Sequence, residues 1–236
     1  MWILSIDTAT KITGLALHQD EQLVAESFLH TSKTHSERVM PMILQLMENA
    51  GLSFSDLNAV AVASGPGSFT GLRIGMATAK GIAQVRKLPV IGINTLDALA
   101  QNGRGFTGLI SPILDARKNE VYNALYRNQH GTLERVSDYR AIAPERLLEE
   151  LSMSSESVLF VGDAVATYQE LISTTLEARA VFFAENMSLP RGSQVGALAA
   201  KRLAIGESDD LYGLKPFYIR QSEAEVTWAK RFGQGV

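Results

Sequence analysis

Three apolar runs of strand length open this chain in quick succession, "WILSID", "TGLALHQD" and "EQLVAESFLH", and only then does the hydrophobic period change to that of a helix. That order constrains the fold more than any other feature. Three consecutive strands, the last two joined by a polar turn over residues 19–22, make an antiparallel meander. In "KTHSERVMPMILQLMENAG" the period is helical, with Thr34 and Glu37 spaced as a capping box and Gly51 placed to end the helix. Pro41 falls inside it and is expected to kink it or displace its first turn, because it cannot donate to Glu37. "NAVAVAS" reads as a buried strand and "FTGLRIGMATAKGIAQVRK" as a helix whose Arg86 and Lys87 suit its C-terminal dipole. "LPVIGIN" is a strand and "TLDALAQN" a short helix. The order β-β-β-α-β-α-β-α, with right-handed crossovers, predicts a mixed five-stranded sheet with helices on its faces.

The glycine-rich "NGRGFTG" is read as a linker, and a second series of the same kind follows it. "LISPILDA", "EVYNALYR" and "LERVSDYR" are strands, with "ARKNE" as the first turn. "APERLLEEL" is a helix with Pro144 near its start, "SVLFVG" a strand, "AVATYQELIS" a helix and "EARAVFF" a strand. "GSQVGALAAKRLAIG" is a helix ending at Gly206, and the tail after it is mixed. The expected fold class is α/β: a two-lobed actin-like, ribonuclease-H-like (ASKHA) fold, its mixed sheets flanked by helices. Residues 1–104 plus about 190–236 form the first lobe, carrying the partner-binding helices. Residues 105–189 form a second, degenerate lobe. Fold alone does not fix function.

Composition narrows the function classes. Of 236 residues 46% are hydrophobic and 20% charged, as in an ordinary globular protein, and the net charge is −3. Strong nucleic-acid binding needs clustered Lys and Arg, so this balance argues against it for the chain alone. There is no cysteine, which excludes disulfides, thiolate catalysis and Cys-ligated metals. The apolar N-terminus lacks a basic leader and a cleavage site, and no run approaches the ~18 apolar residues of a membrane span. A cytoplasmic location is expected. No two histidines make a helical i, i+4 metal pair, and no Ser/His/Asp set shows as a local motif.

The stretch "GPGSFTGLRIG" sits between a strand and a helix, where many proteins hold phosphate. It lacks the Gly-Lys-Ser/Thr of a P-loop, its glycines are spaced one residue too far for a dinucleotide fingerprint, and Pro66 removes an N–H. "GPG" therefore reads as a tight turn. Gly71, Gly75, Ala79 and Ala83 recur at four-residue steps, a bare stripe that either packs internally or lets a partner helix come close. The helix over residues 34–50 carries apolar residues around more than one face, three of the seven methionines among them, which favours a partner surface. The candidate contacts are Arg38, Met40, Pro41, Leu44 and Met47 on this helix, with Gly71, Arg73, Gly75, Met76, Ala79 and Lys80 on the next. A Gly75→Leu change is expected to block close helix approach. Asp7, Thr8 and Thr10 end the first strand where actin-like ATPases place a metal–phosphate loop, and form a candidate remnant nucleotide site. The same residues keep open a second reading, an actin-like ATP-dependent phosphotransferase or ATPase.

Taken together, "ILSIDTAT", "THSERVMPMI", "SGPGSFTGLRIGMATAKG", "NTLDALA", "ILDARKNEVYNALY" and "KPFYIR" resemble the TsaB family, also called YeaZ, over essentially the whole chain. The resemblance implies a part in making threonylcarbamoyladenosine on tRNA, as a non-catalytic scaffold for a TsaD-like paralogue, the transferase. It implies a heterodimer with that paralogue, a TsaE-like ATPase in the larger assembly, a homodimer when alone, and tRNA contact only indirectly. TsaD-like proteins carry an H-x-x-x-H metal pair where this chain has "NTLDALAQ", an "SGGH" hairpin where it has "LDARKNE", and a "GG" turn where "FVGDAVA" keeps only Gly162. The implied chain is no enzyme and needs no cofactor or metal of its own, ATP and metal belonging to the partner subunits.

Overall fold

A computed structural model describes residues 1–30, 35–129 and 131–220. The opening meander is β1 (Trp2–Asp7), β2 (Ile12–Gln19) and β3 (Gln22–His30), followed by α1 (His35–Asn49), β4 (Ala59–Gly65), α2 (Phe69–Arg86), β5 (Val90–Asn94) and α3 (Thr95–Ala100). Strands β1, β2 and β3 pair antiparallel, while β4 and β5 add parallel on the other side of β1, giving the order β3-β2-β1-β4-β5. The expected mixed sheet is there, for the expected reason: tight turns make the meander and helical crossovers make the parallel half.

Helix ends follow local chemistry. Gly51, at φ 69°, carries the chain out of α1, with its N–H on Glu48 O. The Thr34–Glu37 capping pair lies outside the described residues. Pro41 stands inside α1, which continues through it. Ser68 caps α2, its hydroxyl accepting from Gly71 N, and left-handed Lys87 closes the far end.

The second sheet repeats the order of the first. Strands β6 (Leu109–Asp115), β7 (Val121–Asn123), β8 (Tyr126–Gln129), β9 (Thr132–Arg135) and β10 (Arg140–Ile142) precede α4 (Pro144–Ser152), β11 (Val158–Val161), α5 (Val165–Leu176), β12 (Ala180–Phe182), α6 (Glu185–Ser188) and α7 (Gly192–Ala204). Its main path is β10-β7-β6-β11-β12, with β8 and β9 paired beside it. The two long strands expected after β6 are therefore each broken in two. Pro112 sits in the middle of β6 and cannot donate to a ladder. Opposite it the ladder opens, and the buried Asn123 amide donates to Ser111 Oγ and Pro112 O at 3.0 Å each.

Helix α7 leaves the second series and lies on β1, β2 and β3. It comes close because Gly192 sits on the Leu15 backbone, and Arg191 Nη1 holds Glu26 on β3 at 2.9 Å. The segment after α7 stays with the first sheet's edge: Asp209 N donates to Val90 O and Phe217 N to Ser64 O. Arg220 then pairs with Glu120 in the β6–β7 turn, tying the two halves together. Among the described residues no helix is long and apolar enough to cross a membrane.

The glycines of α2 are not equivalent. A Cβ at Gly71 would strike Thr8 O and one at Gly75 would strike Thr8 Oγ1, whereas one at Gly81 meets nothing within 4 Å. Gly81→Ala should raise stability by about 0.5–1 kcal/mol, through helix propensity alone. Gly71→Ala should lower it by about 1–3 kcal/mol, through overpacking against backbone. Thermal unfolding of the two variants beside the parent checks both signs.

Candidate functional site

Helices α1 and α2 begin against the same loop. His35 Nε2 donates to Thr10 O at 2.7 Å, and the Thr13 hydroxyl donates to His35 Nδ1 at 2.8 Å. A carbonyl only accepts, so the network places the ring proton on Nε2. Ser68 N donates to Ala9 O at 2.6 Å, which seats the start of α2 on the same β1–β2 loop. The two helices therefore run side by side in the same direction over one face of the first sheet. Their inner sides fill the core with Val39, Ile43, Leu46 and Met47 from α1 and Met76, Ala79 and Ala83 from α2.

This packing divides the eleven sequence-derived contact residues. Met40, Pro41 and Leu44 are exposed, Met40 at 39% and Leu44 at 52%, and Arg38 is half-buried. Met47, Gly71, Gly75, Met76 and Ala79 are buried within the chain, so no partner reaches them. The small-residue stripe packs on Thr8 and Val62, not on another subunit. A leucine at Gly75 would hit Thr8 and so test folding, not docking. Arg73 is exposed but occupied: its Nε donates to Tyr218 Oη and its guanidinium lies 3.8 Å over the Phe69 ring. Lys80 donates to Leu214 O at 3.0 Å.

The outward face of α2 is the next stripe round. Ala77, Gly81 and Val85 are exposed, Val85 at 81%, with Ile74 and Thr78 half-buried beside them. Sequence reasoning missed these residues. Their signal was present, since 74, 77/78, 81 and 85 also follow a helical period. It was overlooked because the other stripe holds more glycine and alanine. Together with Met40 and Leu44, these residues leave apolar or small surface on two adjacent helices and no charge on α2 between Arg73 and Arg86 other than Lys80.

The second candidate lies at the end of β1. Asp7 is 1% exposed; its Oδ1 accepts from Ala9 N at 2.9 Å and its Oδ2 has no partner. Burial pushes the carboxyl up to about 6, against the Ala9 N–H, with the Asp163 charge adding to the rise. Asp163, just after β11, is raised for the same first reason, burial, and its Oδ1 accepts from Asp115 N at 3.1 Å. Lys11 and Arg117 lower Asp163, and Arg117 Nη1 lies 3.4 Å from Asp115. The ends of β1, β6 and β11 thus bring three carboxylates and two cations together across the lobes.

The residues do not fit a magnesium–nucleotide pair. The Thr8 hydroxyl is spent on Gly71 O at 2.7 Å, and Thr10 Oγ1 accepts from Ile12 N. Gly67 packs directly on the Ala9 backbone of that loop, leaving no room for a Cβ between them. Among the described residues no three His, Asp or Glu side chains are grouped to hold a metal. The Thr8 and Thr10 hydroxyls are thus engaged within the chain, and Asp7 is buried beneath them.

Known proteins match this chain along its length. The Bacillus subtilis tRNA threonylcarbamoyladenosine biosynthesis protein TsaB is 36% identical over 228 residues, 97% of this chain and 98% of that protein. The chain belongs to the TsaB family. A family model described as TsaD, tRNA N6-adenosine threonylcarbamoyltransferase, matches residues 29–228. The solved structure of YeaZ from Pseudomonas aeruginosa superposes with a TM-score of 0.79 at 26% identity, covering 92% of this chain and 99% of that one. Component A of (R)-2-hydroxyglutaryl-CoA dehydratase from Acidaminococcus fermentans gives 0.53 at 12% identity over 86% of this chain and 99% of that one, which shows the fold alone. The fold is the two-lobed actin-like one.

Asp7 makes a pH-dependent contribution of known sign. Its folded-state value of about 6 lies above the 3.8 of an ordinary aspartate in the unfolded chain, so the native state binds the proton more tightly than the unfolded chain does. The stability this gives is complete below pH 3.8 and is lost as pH rises through 6. At neutral pH the buried charge costs about 3 kcal/mol. Asp7→Asn keeps the acceptor for Ala9 N and removes that cost. It should raise the unfolding free energy at pH 7.5 by about 1–3 kcal/mol, with the gain fading towards pH 4. Urea unfolding at the two pH values measures it.

Proposed function

We propose that this chain is a non-catalytic subunit in the formation of threonylcarbamoyladenosine in tRNA, a scaffold that pairs with a TsaD-like transferase. The observation that carries the proposal is the outward face of α1 and α2. Met40, Leu44, Ala77, Gly81 and Val85 are exposed there on two rigid, parallel helices seated on one loop. An exposed apolar patch on a rigid element marks a docking surface. Gly81 has no side chain and no atom of this chain within 4 Å of a Cβ built there, which supports it as a point of close approach for a partner backbone.

The TsaD model's match to residues 29–228 supports the choice of partner. A subunit sharing this fold carries the same pair of helices, and like faces on like folds associate about a pseudo-twofold axis. In the same way the face gives a homodimer when the chain is alone. Asp7 and its closed corner support the absence of transfer chemistry here, which leaves ATP and metal to the partner subunits and to a TsaE-like ATPase in the larger assembly. tRNA touches this chain only indirectly, and the complex works in the cytoplasm.

Gly81→Arg tests the pairing. An arginine there improves helix propensity, and its Cβ meets no atom of this chain within 4 Å. The variant should keep the parent's circular dichroism and melting temperature, run as a monomer in size-exclusion chromatography with light scattering, and bind the TsaD-like subunit at least about tenfold more weakly. A folded Gly81→Arg protein that co-elutes with that subunit at the parent's affinity would remove the assigned face. Glu170→Arg on α5 serves as a control and should change neither association.

A further inference from the structure

A second opening between the lobes lies well away from the Asp7 corner. It is a cavity of about 360 Å³, walled by β5, α3 and the last turns of α7 on one side and by β8, β9 and Tyr139 on the other. Tyr126, on its wall, pairs with Ile110 near the start of β6, whereas Asp115 stands at the end of that strand. Five residues of strand put the two places roughly 16 Å apart.

The chemistry of the walls is specific. The hydroxyls of Tyr126 and Tyr139 both donate to the Asp97 carboxylate, at 2.7 Å and 2.7–2.8 Å. Burial is the first cause of the rise in both tyrosines, and the Asp97 carboxylate adds to it, so both stay neutral donors. Asp97 is thereby satisfied without any cation. Arg202 is also occupied, forked onto Asp209 with Nη1 on Gly92 O as well. Two cations remain on the lining. Arg135 lies 4.1 Å over the Tyr139 ring, donates one N–H to Ser137 O and has the fully exposed Asp138 at 3.7 Å. Lys201 has no hydrogen bond or ion pair among the described residues. Asn94 uses its carbonyl to cap α3 and keeps its NH₂ free, and Gln101 lines the same space.

Free donors thus outnumber free acceptors: Asp97 is taken by the tyrosines and Arg202 by its own carboxylates, Arg135 has only the fully exposed Asp138 beside it, and Lys201 has no anionic partner among the described residues. The remaining wall is apolar or aromatic: Ile93, Leu133, Leu198 and the Tyr139 ring. A cavity of this size is at the small end of ligand sites, which hold their occupant with apolar walls and a few convergent polar groups. We propose that this inter-lobe cavity binds a compact planar organic oxyanion, a carboxylate or phosphate monoester on a flat apolar body. The anion is held by Lys201 and Arg135, and the ring packs against Tyr139 and the leucines. Because the cavity is bounded by α3 and α7 from the first lobe and by β8 and β9 from the second, an occupant also fixes the lobes relative to one another.

Calorimetric titration of the full chain with benzoate, phenyl phosphate and inorganic phosphate tests this, and separates the two anion types. Saturable binding of benzoate or phenyl phosphate with a dissociation constant below about 1 mM is expected, with inorganic phosphate at least about tenfold weaker because it lacks the ring. Lys201→Ala, on an exposed position of α7, should weaken binding about tenfold without moving the melting temperature. Amide shifts in two-dimensional NMR should centre on Gln101, Tyr139 and Lys201. The proposal is overturned if none of the three compounds binds saturably up to about 10 mM. It is also overturned if Lys201→Ala binds like the parent, or if the shifts centre on Asp7 and Asp163.

Discussion

The contact on which the rest of this structure depends is the seating of α2 on the β1–β2 loop. Thr8 gives its hydroxyl to Gly71 O, Ser68 gives its N–H to Ala9 O, and Gly67, Gly71 and Gly75 bring the helix backbone against that loop. No side chain fits between them. Several consequences follow from this single approach. The β1–β2 loop has its Thr8 and Thr10 hydroxyls used within the chain. Asp7 is sealed beneath it. The small-residue edge of α2 is turned into the core, so the opposite edge, with Ala77, Gly81 and Val85, is turned to solvent.

The first sheet was fully legible in the sequence because its signals are local. Alternation, short turns and a change of period mark each element, and the β3-β2-β1-β4-β5 order follows from connection lengths and crossover handedness. The second sheet was legible only in outline. Pro112 was visible as a residue, but its effect appears on the strand opposite, where the ladder opens at Ala124 and the Asn123 side chain takes over. That is a long-range consequence and leaves no mark in the period of "EVYNALYR".

The same distinction explains the candidate site. Periodicity identified α2 as a helix with a bare stripe, and left open which way the stripe faced. The choice rests on Thr8, 63 residues away from Gly71 in the chain, and no local pattern contains it. Arg73 and Lys80 were legible as cations, yet Tyr218 and Leu214 in the last described segment decide that they serve the tail. The cavity at Asp97 was illegible for a similar reason. Its carboxylate, its two tyrosines and its lysine come from α3, β8, the turn before β10 and α7, which only the packed lobes bring together.

Asp7 carries the last step of the argument. A buried carboxylate with one oxygen unpartnered is a cost that packing alone gives no reason to keep, since asparagine would satisfy Ala9 N equally well. It stands at the end of β1, where the charge of Asp163, just after β11, adds to the rise that burial imposes on it. The β1–β2 loop and α2 cover this carboxylate, and the exposed edge of α2, with Ala77, Gly81 and Val85, lies on the far side of the same helix. The use of the Thr8 hydroxyl and the exposure of the outer edge of α2 are two sides of one packing arrangement, made where Gly71 meets Thr8.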